Sequence, residues 1–69
     1  MNKVRRKEII NIIEQLYEVE TKVEDSCVAI REKNYEEEAS GDMKCAYEIL
    51  EESSDSIMKV IDYLEDAVA

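Results

Sequence analysis

Few residues in this chain can do chemistry. It has no histidine and two cysteines, Cys27 and Cys45. Without histidine, no Ser-His or Cys-His pair can activate a nucleophile. The inward Glu-x-x-His pairs of a di-iron bundle are also absent. A zinc site would need both cysteines plus carboxylates, yet they form no CxxC and Cys45 falls on an outward helical position. The expectation is therefore two free thiols, a small buried hydrophobe at Cys27 and an exposed group at Cys45. No catalytic residue, metal site or cofactor follows from this inventory, and the chain reads as a non-enzyme.

Three polar groupings remain. Glu20, Ser53 and Ser54 form one polar layer on an otherwise apolar seam. They would either supply a ligand-binding carboxylate in a small cavity or, the favoured reading, fix helix register as buried polar groups do in coiled coils. Lys3, Arg5, Arg6 and Lys7 lie at a helix N-terminus, where cations oppose the helix dipole. Folding back brings Asp62, Glu65 and Asp66 near them, so cross-helix ion pairs are expected. The alternative is an anion site in which Arg5 and Arg6 join free backbone N–H groups. Glu48, Glu51, Glu52 and Asp55 form the densest part of an acidic outer face. Such a face is usually only solvated, but it can also occupy a basic groove on another protein by imitating a nucleic acid backbone.

The elements that must position these groups follow from periodicity. Ile9, Leu16, Val23 and Ile30 recur every seven residues, as do Met43, Leu50, Ile57 and Leu64. With these as heptad position a, position d holds Ile12, Val19 and Ser26, then Ala46, Ser53, Val60 and Ala67. Two such seams predict two long helices packed along their length. The a positions pair symmetrically about the segment from Asn34 to Gly41: Ile30 with Met43, Val23 with Leu50, Leu16 with Ile57, Ile9 with Leu64. The fold class is all-α: a single-domain antiparallel hairpin, with helices near 3–33 and 42–67, each about 40 Å long, and a turn near 34–41. Asn34 can end the first helix, and Ser40 or Asp42 can cap the second. A shift of one heptad, or a capping box from Asn34 and Glu37, would alter the register or the start of the second helix.

The apolar arc is wider than a hairpin needs. Position e adds Ile13, Cys27, Tyr47, Ile61 and Val68, and position b adds Ile10, Tyr17 and Met58. Exposed apolar patches usually mark interfaces. Ile10, Ile13, Tyr17, Met58 and Ile61 are therefore expected to bury against a second copy, giving a homodimeric four-helix bundle. The alternative is a monomer with scattered exposed apolar residues.

Composition agrees with long helices. The chain of 69 residues has no proline and one glycine, and 39% of it is charged, too rich in helix formers for a strand fold. Its net charge of −9 disfavours nucleic acid and anionic membranes as direct partners. No apolar run approaches the roughly 18 residues of a membrane span. The basic N-terminus lacks a following apolar signal core, so a cytoplasmic location is expected.

The opening Met1-Asn2-Lys3 with Arg5-Arg6-Lys7-Glu8-Ile9 resembles a group of short acidic helical-hairpin proteins from phages and prophages of Gram-positive bacteria. Ala46-Tyr47-Glu48-Ile49-Leu50-Glu51-Glu52, Ile57, and Ile61-Asp62-Tyr63-Leu64-Glu65-Asp66-Ala67 are similar to the same group. The resemblance covers both helices; the connecting segment lacks the proline often found there in the relatives. It implies an accessory protein of a mobile element acting in a bacterial host cell. Small acidic phage proteins often block host defence systems. The leading expectation is thus a homo-oligomeric interaction protein that inhibits a host protein with a basic surface. The alternatives are a binder of a small molecule such as a signalling nucleotide at an oligomer interface, and a structural or assembly protein.

Overall fold

The computed structural model describes residues 2–33 and 41–69. They form two helices, α1 over Lys3–Glu32 and α2 over Gly41–Val68, packed against each other. The expected all-helical hairpin is thus present, with bounds within a residue or two of the heptad reading. The expected caps and turn chemistry at Asn34, Glu37 and Ser40 lie outside the described residues.

Local signals explain the ends. Asn2 caps α1, its side-chain oxygen accepting the Arg5 backbone N–H at 2.8 Å. It thereby satisfies one of the donors that a first helical turn leaves free. At the other end the Lys33 N–H closes the last turn onto the Ala29 carbonyl at 3.2 Å. Asp42 lies in the first turn of α2, where negative charge suits the helix dipole. Thr21 and Ser26 tolerate mid-helix positions by donating their hydroxyls to the Tyr17 and Lys22 carbonyls, each at 3.0 Å.

The register is the symmetric one. The Ser54 hydroxyl donates to the Glu20 carboxylate at 2.5 Å, and the Arg6 guanidinium reaches the Val68 carbonyl at 3.1 Å. Residues near the start of α1 therefore meet the end of α2, as the pairing of Ile9 with Leu64 requires.

The seam itself is rotated from the expected one. Position a faces inward as expected, but its companion is e rather than d. Ile13, Cys27 and Ile61, all at e, are the buried hydrophobic residues among those described. At d, Ile12, Val19 and Val60 remain 45%, 46% and 48% exposed. Side-chain volume accounts for the choice. On α1 the two options nearly balance: Ile13 matches Ile12, Cys27 is more apolar than Ser26, and Glu20 less apolar than Val19. On α2 the e positions offer Tyr47, Ile61 and Val68, whereas d offers Ala46, Val60 and Ala67. Closing on the larger set removes more apolar area from water. Ile13 and Ile61, read from the heptads as flank residues awaiting a second copy, lie instead between the helices of a single hairpin.

The result is a thin rod. Its radius of gyration is 15.7 Å and its principal extents are 52 × 14 × 14 Å. A compact chain of this length would have a radius of gyration of about 11 Å.

Candidate functional site

Seen down the rod, the hairpin has two unlike flanks. Positions e and b of both helices share one flank, and positions d and g share the other, because antiparallel helices place equivalent positions on the same side.

The e/b flank is stitched by hydrogen bonds. Besides the Ser54–Glu20 and Arg6–Val68 bonds, the Tyr17 hydroxyl donates to Glu65, also at 2.5 Å. Arg31 donates to the Tyr47 hydroxyl from Nε at 3.3 Å and from Nη2 at 3.0 Å. Among the described residues, every side-chain hydrogen bond between the helices lies on this flank.

These bonds shift the groups that make them. The bond to Glu65 holds the Tyr17 phenol above its ordinary pKa, with desolvation and the negative charges of Glu65 and Asp62 adding to it. Tyr47 is raised chiefly by the neighbouring Glu51 carboxylate, against the lowering effect of Arg31. Burial, then the charge of Glu51, pushes the Cys27 thiol up. Cys27 is buried and Cys45 exposed, both free, as their helical positions predict.

At mid-rod this flank opens into a shallow groove of about 480 Å³. Glu20 and Glu24 of α1 face Glu51 and Asp55 of α2 across it, with Arg31, Ser54, Cys27 and Met58 completing the walls. Two of the four expected acidic-face residues, Glu51 and Asp55, thus join acids of the opposite helix. Glu48 and Glu52 are exposed on the outer side of α2, away from the groove.

The other sequence candidates separate. Glu20 and Ser54 satisfy each other, which is the arrangement of a register-fixing layer, whereas Ser53 is half-buried on the d/g flank. Arg5 is exposed. Arg6 donates from its side chain to a backbone carbonyl at the end of α2, where a cation suits the helix dipole. Ile10 and Met58 stay on the e/b flank, half-buried and exposed respectively, beside Tyr17. Heptad reasoning missed Arg31 and Tyr47 as a pair. Their b and e positions, combined with the symmetric register, carried that signal.

Among the described residues no group of three His, Cys, Asp or Glu side chains is placed to hold a metal ion, and no helix is long and apolar enough to cross a membrane. No family model, curated protein or solved structure matches the chain. The fold shown is a two-helix hairpin, and the geometry of its flanks is what bears on function.

Proposed function

We propose that this chain is a protein-interaction module that works by binding rather than catalysis. It pairs with a second copy into a four-helix bundle and engages a basic surface on another protein through its acidic groove. The observation that carries this reading is the convergence of Glu20, Glu24, Glu51 and Asp55, from both helices, on one open groove. Arg31 is the single basic side chain among the residues lining that groove, and it is already engaged by Tyr47. A lysine or arginine entering beside Met58 would meet several carboxylates at once, with an apolar wall for its methylene stem. A protein that normally holds nucleic acid offers such a basic surface. The resemblance to small acidic phage proteins supports a host defence protein as that partner.

The test combines capture with charge reversal. Immobilised chain should retain a basic protein from bacterial lysate, and retention should fall steeply as salt rises, since exposed charges are screened beyond about 8 Å at physiological ionic strength. Replacing Glu48, Glu51, Glu52 and Asp55 together by lysine should abolish capture while circular dichroism still reports a helical hairpin. A partner retained equally by that variant would overturn the reading.

A further inference from the structure

We infer that the d/g flank, opposite the acidic groove, is the face on which a second copy of this chain packs. The inference rests on the four-helix reading above and adds to it the interface and its symmetry.

The first ground is chemical asymmetry. Along α2 this flank presents Ala46, Ile49, Ser53, Ser56, Val60, Tyr63 and Ala67, without one charge over 22 positions of a chain that is 39% charged. Ile49 is 62% exposed and Tyr63 77%. Ile12 and Val19 of α1 border them. The charges at the same positions are Arg5, Glu8, Lys22 and Lys33 of α1 and Asp42 at the start of α2, three bases against two acids. Among the described residues, the helix-to-helix side-chain bonds all lie on the other side.

Charge then selects the occupant. Two chains of net charge −9 repel each other, and the least costly approach is through the flank with the fewest acids, Glu8 and Asp42, leaving the others outward. A basic partner would prefer the acidic groove instead. A two-fold axis lets this apolar strip meet itself, so no separate complementary surface is required.

Area points the same way. A compact monomer of 8.0 kDa exposes about 4,450 Å², whereas this chain exposes 5394 Å². The excess, on the order of 900 Å², is close to the roughly 800 Å² that each partner buries in a standard stable interface.

The experiment is light scattering after size exclusion on the full chain, with three variants. Wild type should be a dimer at micromolar concentration. Val60→Asp should raise the dissociation constant by at least about 100-fold, because a carboxylate would be buried without a partner. Met58→Asp, two residues away and comparably exposed on the other flank, should leave the dimer intact. Ser56→Glu covers the case in which Val60→Asp fails to fold, since it replaces an exposed polar residue that the hairpin does not use; it should give a folded monomer. A monomeric wild type would overturn both this inference and the four-helix reading. A dimer that survives Ser56→Glu but dissociates on Met58→Asp would overturn this face alone and leave the four-helix reading standing.

Discussion

Tyr17 and Tyr47 show how single side chains hold one edge of the hairpin, and Tyr17 gives a pH signature with a definite sign. Its neutral hydroxyl donates to Glu65, so its pKa is raised in the folded chain relative to the unfolded one. That contribution is fully present below the ordinary phenol pKa near 10 and is lost as pH rises through the folded value. Thermal unfolding followed at increasing alkaline pH should therefore show wild type more stable than Tyr17→Phe at neutral pH, with the two converging once Tyr17 ionises. A gap between them that persists or widens at high pH would show that the bond to Glu65 does not stabilise the fold. Residue-level legibility was uneven. Cys45 was readable because position c faces outward in either seam, and Cys27 because it falls within the wide apolar arc, though its burial at position e follows from the rotated seam. The role of Arg6 was not, since its acceptor is a backbone carbonyl 62 positions away, invisible to any pattern of side-chain types. Asn2 was readable in principle, being a favoured cap type just before the first helical residue.

At the scale of the elements, the sequence specified the two helices and their register but left the rotation of each about its axis open. Position a is common to both possible seams, so Ile9, Leu16, Val23 and Ile30 fix which residues pair without fixing which neighbour completes the core. Adjacent isoleucines at 12 and 13, with Val19 against Glu20 offset by Cys27 against Ser26, leave α1 with little preference. The decision lies in α2, where the bulk of Tyr47, Ile61 and Val68 outweighs that of Ala46, Val60 and Ala67. Weighing volume as well as hydrophobic periodicity would have found it. The same pair supplies a controlled test of the seam. In the Ser56→Glu background, Ile13→Ala should cost about 2–5 kcal/mol, the range for truncating a buried isoleucine. Ile12→Ala, an identical change one residue earlier at a 45% exposed position, should cost under about 1 kcal/mol. Chemical denaturation of both variants would measure this, and equal costs would mean that the core is shared between the two seams. Glu20 and Ser54 interrupt this core halfway along and satisfy each other through their mutual bond.

For the whole molecule, a strip along α2 that is free of charge from Ala46 to Ala67, on a charged rod, has a polyelectrolyte consequence. Of the 18 acids only Glu36, Glu37 and Glu38 lie outside residues 2–33 and 41–69, which also contain all 9 bases, so the described rod carries six net negative charges. Spread over a helix length of about 45 Å, that is one charge per roughly 7–8 Å. Two unit charges in water interact with thermal energy at a spacing of about 7 Å, so a single hairpin sits at the margin where an ion atmosphere begins to condense. Two hairpins joined side by side along the neutral strip would halve the spacing to about 4 Å, part of the way toward the roughly 1.7 Å of duplex DNA. Pairing would thus turn a rod with loosely held counterions into one that collects sodium and surrenders it on meeting a cationic surface. Sodium NMR relaxation should accordingly be faster per chain for wild type than for Ser56→Glu after correction for its extra charge, and equal rates would mean that association does not concentrate the line of charge.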